Sequence, residues 1–99
     1  MKIILCTFPN EKDARHVANI LLEEEIVACV QIQGPIQSIY KWNGKMVCEE
    51  EWKISLKAKD ENVERAHQIV LKKHTYENPQ WIVINATGSK AYEDWVAEK

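Results

Sequence analysis

Glycine is scarce in this chain, with three in 99 residues, at Gly34, Gly44 and Gly88. A phosphate-cradling loop needs several of them close together, so no Gly-rich nucleotide loop is present, and HExxH, CxxC and GxSxG segments are missing as well. The chain therefore reads as a non-enzyme. No apolar run is long enough to span a bilayer, and Ile3–Cys6 near the start falls far short of a signal-peptide core. An excess of positive charge is also lacking: 13 Lys and Arg stand against 15 Asp and Glu, a formal net charge of -2. Nothing in that balance draws the chain to phosphate backbones or anionic lipid, so nucleic acid and membrane are set aside as partners. The cysteines, Cys6, Cys29 and Cys48, are odd in number and have no paired spacing. Reduced thiols and a cytoplasmic location are the reading that follows.

What is present is strand character, concentrated between Val27 and Lys59. Asn43-Gly44, flanked by Ile39-Tyr40-Lys41-Trp42 and Lys45-Met46-Val47-Cys48, predicts a hairpin tip, because a type I′ turn needs positive φ at both central residues. That tip pairs Tyr40 with Val47 and Ile39 with Cys48. Carried down the ribbon, the same register puts Val30 and Ile32 on one face and Ile54 and Leu56 on the other. A one-residue slip cures the conflict by pairing Ile32 with Ile54, Val30 with Leu56 and Ala28 with Ala58. A bulge is therefore predicted near Gly34-Pro35, where Gly permits the backbone and Pro has no donor to lose. Beyond it, an arm carrying Tyr40, Trp42, Met46, Val47 and Trp52 bends away from the body. An apolar arm on so small a body calls for a covering surface, and a second copy of the chain is the simplest one.

The remaining elements fall around that ribbon. Ile3–Phe8 is a strand in the middle of a sheet, stopped by Pro9. Asn10 caps a helix to about Glu25 with Ala14, Val17, Ala18, Leu21 and Leu22 as its stripe, and Glu23-Glu24-Glu25 lies on its solvated side. Asp60 is read as the cap of a second helix through about Lys73, with Val63, Ala66, His67 and Val70 on one face. Gln80–Ala86 is a fourth strand including Trp81, and Gly88-Ser89 opens a short helix, with Tyr92, Trp95 and Val96, that lies across a sheet edge. At 45% hydrophobic and 28% charged residues, residues 1–99 make one globular domain. The order β-α-β-β-α-β plus a closing helix predicts an α+β, ferredoxin-like sandwich with an extended, bulged central hairpin.

That fold also serves RNA-binding modules, but the third strand here begins Met46-Val47-Cys48-Glu49-Glu50-Glu51, which repels a phosphate backbone. The segment with most chemistry is His74-Thr75-Tyr76-Glu77-Asn78-Pro79. A histidine and a carboxylate three apart at a helix end, joined by a thiol such as Cys29, supply ligand types suited to copper or zinc. The plainer alternative is that His74 and Tyr76 dock this loop on the sheet and Glu77 makes an ion pair.

Taken together, Ala28-Cys29-Val30, Ser38-Ile39-Tyr40-Lys41-Trp42-Asn43-Gly44-Lys45, Leu56-Lys57, His74-x-Tyr76-Glu77-x-Pro79 and Tyr92-x-x-Trp95 resemble the CutA divalent-cation-tolerance family, over nearly the whole chain and in order. The resemblance implies a ferredoxin-like subunit in a tight homotrimer, with Tyr40, Trp42 and Trp52 on the arm that reaches a neighbour. It implies binding of a divalent metal, copper first, through Cys29, His74 and Glu77. It also implies a cleft at the subunit boundary lined by Lys57, Tyr76 and Glu51. The family's architecture is similar to the trimeric PII signalling proteins, which gives a second expectation: a small metabolite or nucleotide in that cleft, with Lys57 as the anion contact. A third is a trimeric scaffold with no ligand. The chain departs from the family pattern at Thr75 for proline, Gln31 for asparagine and Ala58 for threonine.

Overall fold

The computed structural model describes all of Met1–Lys99. The first strand, β1 (Lys2–Phe8), buries Ile4, Cys6 and Phe8 on one side while Ile3 and Leu5 on the other remain half-buried. Asn10 starts α1 (Glu11–Glu23), its side chain accepting the Asp13 N–H at 2.8 Å. Ala14, Val17, Ala18 and Leu21 form the buried stripe, whereas Leu22, expected to join it, is exposed at the stripe's edge. The helix stops through hydrogen bonds rather than through glycine. Ile26 N–H donates to Leu21 O and Glu25 N–H to Leu22 O, both at 3.0 Å, and Glu25 takes a left-handed φ of 52°. This is a Schellman closure, completed by burial of Ile26 with Leu21.

The ribbon consists of β2 (Cys29–Trp42) and β3 (Lys45–Ala58), turned at Asn43 (φ 51°) and Gly44 (φ 77°). Both expected registers are present. Tyr40 pairs with Val47 and Ile39 with Cys48 near the tip, Val30 pairs with Leu56 and Ile32 with Ile54 near the body, and the shift falls between Gln33 and Ile36. Gly34 and Pro35, joined by a cis peptide, thus stand opposite Trp52 alone. A Cβ on Gly34 would lie 2.3 Å from the Trp52 indole, so the ring lies directly over the glycine. The ladder stops one residue short of the expected Ala28–Ala58 pair: β2 begins at Cys29, and Ala28 N–H donates to Lys57 O at 2.8 Å. Trp52 also departs from its expected place on the arm. It packs against the chain's own core, because the bulge lies beside it and the arm begins only beyond that point.

A 3-10 turn at Asp60–Asn62 precedes α2 (Val63–Lys73), and no side chain caps that helix. Asp60 was expected to do so. It instead faces the Met1 amine at 3.6 Å. The last strand, β4 (Ile82–Asn85), is shorter than the expected Gln80–Ala86 and begins just after Trp81, which stacks on His67 of α2 at 4.6 Å. Ser89 accepts the Tyr92 N–H at 3.2 Å and opens α3 (Lys90–Ala97). This helix packs beside Met1 and β3, at the end of the sheet and not across its edge.

The strands form one antiparallel sheet in the order β2-β3-β1-β4, with the crossings of a ferredoxin-like sandwich. α1 and α2 cover one face, where Ile4, Cys6, Phe8, Ile54, Leu56, Ala66 and Val70 share a core with the α1 stripe. The other face has no helix. There Ile82 and Ile84 of β4, exposed at 45% and 42%, pair with Leu5 and Ile3 of β1. The arm is barer still, with Trp42 at 66% and Met46 at 67%.

Two outcomes follow from this packing. Gly34→Ala drives a methyl into the Trp52 ring and is expected to lower stability by about 1–3 kcal/mol in urea unfolding compared at one protein concentration. Burial, aided by the charge of Glu51, pushes the Cys6 thiol up to about 12. A thiol-specific alkylating reagent at pH 8 should therefore leave Cys6 unlabelled in native protein while labelling exposed Cys48, as peptide mass mapping would show.

Candidate functional site

The loop after α2 is held by one imidazole. His74 ends the helix, its backbone N–H donating to Val70 O at 2.8 Å, and its ring turns back over the sheet. Nε2–H donates to the Thr7 carbonyl at 2.6 Å, and Nδ1 accepts the Tyr76 N–H at 3.1 Å, a pattern that assigns the Nε2–H tautomer. The ring is stacked on Phe8 at 4.3 Å and tilted against Tyr76 at 4.7 Å. Both nitrogens are therefore spent inside the chain. His74 docks the loop and has no lone pair left for a metal.

The expected metal trio is not assembled within one chain. Cys29 pairs with Lys57, level with Ile3, whereas His74 sits at Thr7, four residues further along β1 or about 13 Å at strand spacing. Glu77 is exposed in the loop and makes no hydrogen bond or ion pair. No three His, Cys, Asp or Glu side chains come close enough to hold an ion. Within one chain the three lie apart because strand register decides which end of the sheet each reaches.

The expected cleft residues divide in the same way. Tyr76 Oη–H donates to Glu51 Oε2 at 3.0 Å. Burial first, then this hydrogen bond and the nearby carboxylates, raise the Tyr76 phenol above its ordinary value, so it stays a donor. Lys57 is six residues further along β3, about 20 Å away at strand spacing, and its ammonium contacts Gln31 Oε1 instead. Around the Glu51–Tyr76 pair is a cavity of 620 Å³, which Glu49 and Tyr40 also line. Glu49 was missed in the sequence. The available signal was spacing: residues two apart on a strand share a face, so Glu49 and Glu51 point the same way.

No helix is long and apolar enough to cross a membrane. The sequence profile described as CutA1 divalent ion tolerance protein matches residues 2–99. The divalent-cation tolerance protein CutA of Thermus thermophilus is 33% identical over 98 residues, covering 98% of this chain and 95% of that protein. Protein CutA, chloroplastic, of Arabidopsis thaliana is 30% identical over 95% of this chain, which spans 52% of the plant protein. Among solved structures, CutA1 of Ehrlichia chaffeensis superposes with a TM-score of 0.92 at 31% identity, over 98% of this chain and 92% of that one. The periplasmic divalent cation tolerance protein CutA of Archaeoglobus fulgidus also gives 0.92, at 32% identity, over 99% and 97%. With a profile match across nearly every residue and the same fold at that identity, this chain belongs to the CutA1 divalent ion tolerance family.

Proposed function

We propose that the chain serves divalent-cation tolerance, the role for which its relatives are named, as a homotrimer that meets its metal, copper first, at Cys29. What supports this most is the placement of that thiol. Cys29 is unpaired and half-buried on the sheet face that no helix of its own chain covers. A thiolate is a soft ligand, and in a reducing cytoplasm, where we place the protein, Cu(I) is the copper state it prefers. His74, with both ring nitrogens engaged inside the chain, is left out of this ligand set, and Glu77, exposed and unengaged, can join Cys29 only from a neighbouring subunit. The further ligands have to come from neighbouring subunits, since one chain gathers no three.

The trimer is supported by surfaces left unfinished. Ile3, Leu5, Ile82 and Ile84 make an apolar patch on the open face, and Tyr40, Trp42 and Met46 expose apolar area along the arm. β2 and β4 are free sheet edges whose backbone groups another chain can pair. The alternative of an anion cleft like that of the PII proteins needs Lys57 beside Tyr76 and Glu51. Only a neighbour's Lys57 can supply it.

Light scattering of the reduced protein is expected to give a mass three times the 11.5 kDa chain. Trp42→Ala should lower that mass on dilution and reduce the melting temperature with it, because an assembled chain's stability depends on subunit concentration. In a Cys48→Ser background, Cu(I) titration should show saturable binding tighter than about 1 μM that is lost in Cys29→Ser and kept in His74→Ala. Binding lost with His74 and kept without Cys29 would overturn the assignment, and absence of binding in every form would leave a scaffold.

A further inference from the structure

The loop that follows α2 depends on one lone pair. With Nδ1 accepting from the Tyr76 N–H and Nε2–H donating to the Thr7 carbonyl, the His74 ring fits its place only as the neutral imidazole. A second proton puts Nδ1–H against the Tyr76 N–H, donor against donor, and turning the ring over cannot help because both nitrogens then donate. The surroundings do little to favour the cation. On β1 the ring meets the Thr7 carbonyl, which also accepts from the Cys6 thiol at 3.8 Å, and the face of Phe8. On β3, Glu51 is reached through the Tyr76 hydroxyl, and no ion pair of the chain includes Glu51 or His74. α2 brings Lys72 and Lys73 immediately before the ring, which oppose a further positive charge, and His67, which is stacked on Trp81. In the loop itself Glu77 is exposed. Phe8 attracts an imidazolium, but that attraction is comparable with one hydrogen bond, whereas protonation breaks one and sets two donors against each other.

We propose that His74 is a pH-sensitive latch: a second proton on its imidazole, taken up in mildly acidic conditions, releases the loop from Thr75 to Pro79 and with it the Tyr76 hydroxyl from Glu51. A free imidazole takes up that proton at about pH 6.5. The docked loop binds one proton fewer than the released loop, so docking is complete above that range and weakens as pH falls through it. Pro79 is buried at the far end, so the loop opens from its His74 end. Glu51 then exchanges its phenol partner for water. The ring lies over Phe8, a member of the chain's own core, so the latch works inside one subunit. It uses neither Cys29 nor any ligand and stands apart from the metal reading.

The test is amide hydrogen exchange of the metal-free full chain, in its native assembly, followed by NMR between about pH 7.5 and pH 5.5 and corrected for the intrinsic exchange rate at each pH. One linked proton changes an opening equilibrium by at most about ten-fold per pH unit, so protection of the Tyr76 amide should fall by about ten-fold over this range. Amides of the β1–β3 ladder should keep theirs. The fall should coincide with titration of the His74 ring, read from its Cε1 resonance in the same samples. His74→Asn retains an acceptor oxygen near the place of Nδ1 but has no proton to take up, and its Tyr76 protection should not vary with pH. Constant protection in the wild type, a fall that tracks His67 or another group instead of His74, or a fall that persists in His74→Asn would each overturn the proposal. If that variant does not fold, coincidence of the two wild-type titrations, or its absence, decides.

Discussion

Two pairing registers, one residue apart, meet in the β2–β3 ribbon, and the bulge that joins them sets the geometry of everything beyond it. Near the body, Ile32–Ile54 and Val30–Leu56 must face the helices to complete the core. Near the tip, the Asn43-Gly44 turn dictates its own register, and the two cannot be continuous. The extra residue is absorbed at Gly34-Pro35, opposite Trp52, whose indole occupies the space a side chain at position 34 would need. Trp52 is thus a hinge pin between the two halves of the ribbon: its ring anchors to the core, and the arm leaves from there. The molecule measures 46 × 24 × 21 Å, and a projecting hairpin is what makes the long axis nearly twice the others.

The bulge also sorts chemistry along β3. On the body side, the open face presents Lys53, Ser55 and Lys57 in alternation; past the bulge, the face that receives Glu51 and Glu49 is walled by Ser38 and Tyr40 of β2. Positive groups therefore gather toward one end of the sheet and carboxylates toward the other. A cyclic assembly built head to tail brings opposite ends of adjacent copies together, which is how such an arrangement becomes complementary to itself. In the trimer proposed above, the apolar band of Ile3, Leu5, Ile82 and Ile84 would supply the area and the polar ends the orientation.

His74 shows how a residue with the right chemistry for a metal can be consumed by structure. The loop from Thr75 to Pro79 has no strand or helix to satisfy its backbone, and the imidazole takes on that work by receiving one N–H and donating to a sheet carbonyl. Phe8, the only phenylalanine in the chain, forms the floor on which the ring stacks. Pro79 is buried at the far end of the same loop. Held at both ends, the loop keeps Tyr76 aimed at Glu51, so the histidine acts on the carboxylate cavity through position and not through contact.

The sequence by itself determined the element order, the Asn43-Gly44 turn, the Asn10 cap and the place of the bulge. Each rests on local φ preferences or on strand alternation, and both are written in consecutive residues. Family membership was legible for a similar reason, since its motifs are short and ordered along the chain. Tertiary structure alone decided which distant side chains meet. Cys29, His74 and Glu77 carry suitable ligand atoms but lie on different strands and loops, and their separation depends on strand order and register, which no local pattern encodes. Trp52 and Trp81 were misplaced on the same account, as an aromatic in a strand-like run goes to whichever partner the fold presents, here Gly34 and His67. The cavity around Glu49 and Glu51 needed both kinds of information: alternation put the two carboxylates on one face, and only the folded loop brought Tyr76 to meet them.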